Sequence, residues 1–412
     1  MATLKPFAVI HPDRAHAASV CAPPYDVLDR SEALRIAEDN PNNFLHITRS
    51  EIGLPERADP YSDAVYALAS DNLKRWIASD ILKQEPGDCY MIYRQIADRR
   101  SQTGVVGLVS VSDYENDVIK KHELTREDKQ RDRTMHIEAC NAHTEPVLLT
   151  YRSCHMIDVT VKKWISEHEP LFDFKGKDGT VHQMWNVDEP GAIEVLEIGF
   201  ESVPHLYIAD GHHRAASAVA VASNRRQTGS AGKAEYFPAV CFPSFDLKIM
   251  DYNRTVSDLY GLTGKAFQNA LTAAGFRVRE AKTPMRKPDK KGTFGMYTDG
   301  CWYILDQAKP MLTGDPIEDL DVSILQNRIL GPILGIKDPR TDHRIGFAGG
   351  ILGLSALKKL VDTNQAAVAF ALCPLSMDEL LAAADAGRMM PPKSTWFEPK
   401  LASGLIVHTI GE

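Results

Sequence analysis

"LYIADGHHRAASAVA", residues 206–220, decides the fold of this chain. Leu206, Tyr207 and Ile208 form a short apolar run suited to an interior strand. Ala215, Ala218, Val219 and Ala222 recur at helical spacing, so a helix is expected to start near His212 or His213. Between them stands Gly211, with Asp210 before it and His212, His213 and Arg214 after it. A strand, a glycine turn and a helix N-terminus make an anion site. The opening N–H groups and the positive end of the helix dipole converge there, and an arginine can grip an oxyanion with two N–H groups. A plain helix cap would need only Asp210. Two imidazoles, a guanidinium and a carboxylate at one turn exceed that need.

Composition narrows the class. With 412 residues, 44% hydrophobic and 25% charged, the chain has the make-up of a globular protein with two or three domains. A net charge of −8 argues against broad nucleic-acid or anionic-membrane binding, which needs basic faces. No stretch nears 18 uninterrupted apolar residues, so no membrane span is expected, and the first residues lack the pattern of a secretory leader. Seven scattered cysteines without a C-x-x-C suit reduced thiols in a cytoplasm rather than a disulfide frame.

Three regions are expected: 1–105, 106–250 and 251–412. In the first, a helix follows the "PPYD" turn near Ser31, and "DPYSDAVYALASDNLKRWIASDIL" reads as an amphipathic helix. "DCYMIYRQIA" and "TGVVGLVSVSDY" read as strands. In the third, "DVSILQNRILGPIL", "LSALKKLVDT" and "SMDELLAAADAG" read as helices and "QAAVAFALC" as a buried strand. "GFAGGILG" (346–353) lacks the order of a phosphate loop and reads as a turn. The Pro/Lys/Gly-rich stretch 281–300 reads as a break.

A second polar cluster lies at 118–151. His122, Glu123 and Thr125 sit where a strand gives way to a helix, and "PVLLTY" then reads as another strand. Most of the charge from Arg126 to Arg133 reads as a solvated helix face. His122, His136 and His143 with Glu123 could suggest zinc, but no H-E-x-x-H pairing supports it. Near the end, "MMPPKSTWFEPKLASGL" (389–405) holds Lys393, Ser394, Thr395 and Lys400 among prolines and aromatics, suited to a stiff substrate clamp or a packed strap.

The order H-E, helix, P-V-L strand and D-G-H-H-R at a helix start resembles the ParB/sulfiredoxin superfamily, and within it the free serine kinases. Over nearly its full length the chain also resembles a bacterial family of unassigned function. The shared motifs are A-P-P-Y-D-V (Ala22 to Val27), H-E-x-T (His122 to Thr125), A-D-G-H-H-R (Ala209 to Arg214), Asn253–Arg254 and M-P-P-K-S-T (Met390 to Thr395). The resemblance implies an α+β protein with a ParB/sulfiredoxin-like centre flanked by N- and C-terminal α/β regions. It implies that Gly211, His212, His213 and Arg214, with His122 and Thr125, bind nucleotide phosphates. Glu123, Asp210 and His213 would act in catalysis, Glu123 as base toward a serine hydroxyl.

The same resemblance places Tyr25, Asp26, Asn253, Arg254, Lys393, Ser394 and Thr395 around the substrate. ADP or ATP is the implied nucleotide, and Asp210 could hold Mg²⁺ bridging the phosphates. Glu123 and Asp210 are 87 residues apart, longer than in the compact kinases, so 152–203 is expected to loop out. The expected function is a nucleotide-dependent phosphotransferase acting on serine or a similar small hydroxy amino acid. A phosphoserine-type phosphatase and a ParB-like nucleotide switch are its rivals. A homo-oligomer is compatible with the sequence.

Overall fold

Leu206, Tyr207 and Ile208 are buried and form the strand Leu206–Asp210 of the computed structural model, which describes residues 1–281, 285–308 and 313–411. The protein mixes helices and sheets in α+β fashion. The chain divides into two compact units, one of residues 1–121, 125–247 and 399–412, the other of 122–124 and 248–398. The chain passes from the first unit to the second at Leu247/Lys248, while the short 122–124 segment belongs to the second and the C-terminal tail to the first.

In the first unit nine strands share one sheet. Its order is Ile119–Lys120, Leu206–Asp210, Val147–Tyr151, Tyr236–Pro243, Arg100–Ser110, Tyr90–Ala97, Val181–Val187 and Phe172–Lys175, with Leu4–Lys5 paired to Arg100–Ser110. Leu206–Asp210 runs parallel to Ile119–Lys120 and antiparallel to Val147–Tyr151, with a register shift between Ile208 and Asp210. That irregularity falls where the strand hands over to the glycine turn, as bulges beside sites do. The helices Glu127–Cys140 and His212–Thr228 pack on each other, and Asp63–Ala78 packs on the former.

Residues 152–203 do not loop out. Val181–Val187 pairs with Tyr90–Ala97 over seven residues and extends the sheet. Trp164 of His155–Glu167 and Leu196 and Phe200 of Pro190–Glu201 enter the main core. Alternation in "VHQMWNV" and the apolar helix faces bury more surface in the sheet than a solvated loop could.

The second unit carries a six-stranded antiparallel sheet: Phe276–Glu280, Cys301–Gln307, Thr293–Thr298, Val368–Ala371, Tyr252–Val256 and Ile345–Gly349. "GFAGG" is therefore largely strand rather than turn, since Tyr252–Val256 supplies its backbone partners. The 281–300 stretch is a connection within this sheet, with Thr293–Thr298 inside it, and 282–284 lie outside the described residues. Gly353–Asp362 and Met377–Asp385 are the expected helices, the latter opened by a capping box of Ser376 and Glu379. "DVSILQNRIL" starts as the helix Asp321–Leu325 and widens to a π-turn over Gln326–Leu330. Among the described residues no helix is long and apolar enough to cross a membrane.

Four buried histidines make the first unit acid-sensitive. Burial pushes the pKa of His136, His182 and His408 down to about 4 and that of His143 to about 3. In the unfolded chain they bind protons near pH ~6.5. The native state thus stays neutral where the unfolded state is charged. The stability this gives is complete above about pH 6.5 and is lost as pH falls toward about 4. Thermal melts at constant ionic strength should show Tm falling steadily across that window, and a flat profile would refute the assignment.

Candidate functional site

Gly211 is the N-cap of His212–Thr228 and adopts φ 97°, a left-handed conformation that glycine takes at no steric cost. A Cβ there would lie 2.9 Å from Nε of Arg214 and 3.0 Å from its Cζ. The glycine thus both turns the chain and makes room for the guanidinium. Gly211→Ala should cost about 1–2 kcal/mol of stability, read by denaturant unfolding, with displacement of Arg214.

Arg214 is buried and folds back along the turn. Its Nη2 donates to Asp210 Oδ2 at 2.8 Å, and its Nη1 donates to the carbonyl of Pro146. The other oxygen of Asp210 accepts from Lys400 Nζ at 3.0 Å. Burial would push the Asp210 carboxyl up, but the charges of Lys400 and Arg214 outweigh it and hold the group well below the usual carboxylate range. Burial lowers Arg214 and Lys400, and the carboxylate raises both, so all three stay ionised.

Lys400 arrives from the C-terminal segment. The side-chain amide of Gln95 donates to the Lys400 carbonyl at 2.8 Å, and that of Gln102 to the Pro399 carbonyl at 3.1 Å. Ala22 and Ser403 exchange backbone hydrogen bonds of 3.2 and 2.8 Å, joining the same segment to the "APPYD" turn. Asp26 and Tyr25 act electrostatically on Arg214. The Tyr25 ring lies under the Arg133 guanidinium at 4.3 Å.

A second layer of charge lies behind the turn. Arg133 pairs with Asp132 at 2.9 Å, and Tyr66 donates to the same carboxylate at 3.0 Å. Glu145 is buried and accepts from the Ser403 hydroxyl. Burial raises its pKa, and Arg214, Ser403 and Arg133 oppose that shift only in part. Asp132 and Arg133 therefore do not lie on a solvated face. Their helix is packed on both sides, and mutual pairing is what makes their burial tolerable. Glu145, Arg133 and Ser403 are the members of this cluster absent from the expected site, while Lys400 was expected only within the proline-framed clamp. The one local signal was the lysine closing the proline-framed "MPPKSTWFEPK".

His213 Nε2 accepts the backbone N–H of Arg126 at 3.0 Å, which places the proton of the neutral ring on Nδ1. His212 is buried. Thr125 donates to Gln130 at 3.1 Å.

The remaining expected residues belong to the second unit. The His122 carbonyl accepts from Met390 N–H at 2.8 Å, and its Nε2 lies 3.5 Å from the Thr395 hydroxyl. Arg254 is buried, stacks on Phe347 at 4.7 Å and donates to the carbonyls of Tyr252 and Pro392 at 2.9 and 3.0 Å. Burial lowers its pKa to about 10, against the opposing charge of Glu123. Asn253 bridges Asp251 at 2.7 Å and the Leu372 amide at 3.0 Å. Ser394 donates to Pro391 at 2.6 Å, and Lys393, at φ 57°, places its ammonium 5.9 Å from the Tyr252 ring. Arg254 and Ser394 thus hold the 390–397 segment in shape. Phe397 is buried and Trp396 packs edge-on to Tyr252, so that segment is also a packed strap.

Asp210 does not fit a magnesium ligand. Each of its oxygens already takes a cation, and a divalent ion would have to displace Lys400 or Arg214. Among the described residues no three His, Cys, Asp or Glu side chains converge as a metal site.

A family model described as "Protein of unknown function (DUF1015)" matches residues 4–323. No curated protein matches the chain. Among solved structures, a conserved hypothetical protein from Pyrococcus furiosus is similar at 14% identity, covering 74% of this chain and 95% of its own, with a TM-score of 0.38. SbnI with C-terminal truncation from Staphylococcus aureus is similar at 14% identity, 74% and 87% coverage and a TM-score of 0.39. A free serine kinase in complex with AMP is similar at 12% identity, 71% and 86% coverage and a TM-score of 0.37. Likenesses of this size leave the site to be argued from its own residues.

Proposed function

The chain belongs to the DUF1015 family, and from the 210–214 turn together with the motif resemblance to the free serine kinases we propose a phosphotransferase that moves a phosphoryl group between ADP or ATP and serine or a similar small hydroxy amino acid. The carrying observation is the turn at 210–214, where a helix N-terminus opens beside two ionised cations, buried Arg214 and half-buried Lys400, held on one carboxylate. Phosphoryl transfer asks mainly for charge stabilisation on the phosphate oxygens and an aligned acceptor. Arg214, Lys400, His213 and the turn amides supply the first. On the H-E-x-T motif, Glu123 is assigned the second, taking the proton of the acceptor hydroxyl. No step is assigned to a metal ligand at Asp210. The centre is read as ParB/sulfiredoxin-like and the protein as cytoplasmic, on the motifs and the free cysteines.

The test is incubation of purified protein with serine plus ADP or ATP, and separately with phosphoserine, with products separated by chromatography. Phosphoserine formed from serine and nucleotide supports the reading. Phosphate released from phosphoserine without nucleotide overturns it in favour of a phosphatase. Lys400→Met should weaken nucleotide binding about 10–100-fold by titration calorimetry, the worth of one charge-assisted hydrogen bond.

A further inference from the structure

Behind Arg214, ten buried residues of the first unit enclose a cavity of about 20 Å³. Ile137, Val147 and Phe237 supply apolar wall, while Arg133, His143 and Glu145 supply polar wall. Two polar atoms among them, Arg133 Nη1 and His143 Nε2, are buried without a hydrogen-bond partner. Leaving such atoms bare is costly, and native interiors rarely do so. The space suffices for one water-sized body, which needs about 10–15 Å³ on the same measure.

Charge decides what fills it. Three cations, Arg133, Arg214 and Lys400, face four carboxyl groups, Asp132, Asp210, Asp26 and Glu145. The cluster is already neutral or one charge negative, so a further anion meets no uncompensated charge. A cation would face the Arg133 and Arg214 guanidinium groups at short range. A neutral molecule that both donates and accepts satisfies both orphan atoms.

We propose that this cavity is the binding site of one ordered water molecule, which accepts from Arg133 Nη1 and hydrogen-bonds His143 Nε2. It completes the layer of polar contacts behind Arg214, and it stands independently of the phosphotransfer reading.

Crystals of the full chain test it directly. A water peak within hydrogen-bond distance of both atoms is the expected result. An empty cavity, xenon bound there under pressure, or an anomalous bromide peak after a bromide soak would each overturn it. Thermal melts give a second reading. Val147→Ile should lower Tm by about 2–4 °C if a water is displaced. A rise in Tm would show that a dry void had been filled.

Discussion

Replacing Arg214 by Met should lower the unfolding free energy by about 3–5 kcal/mol and abolish the thermal shift produced by ADP or ATP. The magnitude is that of breaking a buried ion pair by removing one partner. Arg214 is inside the protein, and its charge compensates the half-buried Asp210 and the buried Glu145. Methionine conserves much of the stem volume, so the loss reports charge and hydrogen bonds rather than a cavity. Arg214→Lys should recover part of the stability but little of the ligand effect, because an ammonium cannot reach Asp210 and the Pro146 carbonyl while presenting a planar fork. Urea unfolding with and without nucleotide measures both. An Arg214→Met protein that keeps its nucleotide shift would remove the turn from the phosphate site.

Glu123→Gln should reduce turnover by about two orders of magnitude or more and leave nucleotide affinity little changed. A serine hydroxyl is a poor nucleophile until an acceptor takes its proton, and general-base catalysis is commonly worth about 10²–10⁴-fold. Glutamine keeps size and hydrogen bonding but cannot accept that proton. The effect should therefore appear in kcat and not in nucleotide Kd. Loss of nucleotide binding ahead of turnover would recast Glu123 as phosphate-facing. Asp132 is a poor substitute for the role, since both its oxygens are engaged by Tyr66 and Arg133. Glu145 is the better second carboxylate to test, being buried with a raised pKa.

Much of the site's backbone was legible locally. An apolar triplet, a glycine and an alanine-spaced run specify strand, left-handed turn and helix through interactions that span a few residues. The same holds for Asp63–Ala78, Tyr90–Ala97 and Met377–Asp385, whose periodicity is their own. The 152–203 stretch was misread for the complementary reason. Its strands earn their place by pairing with Tyr90–Ala97, far upstream, and nothing within the stretch announces that register.

What the sequence by itself determined is the turn at 210–214, its glycine and the charges it displays, because strand, turn and helix signals are written within a dozen residues. What only the tertiary structure decided is how those charges are spent. Lys400 reaches Asp210 across 190 residues, and Ser403 reaches Glu145 across 258. Such contacts depend on sheet order and on the C-terminal segment lying beside the "APPYD" turn, which no local propensity encodes. They turned Asp210 from a metal-ligand candidate into the carboxylate that positions two cations.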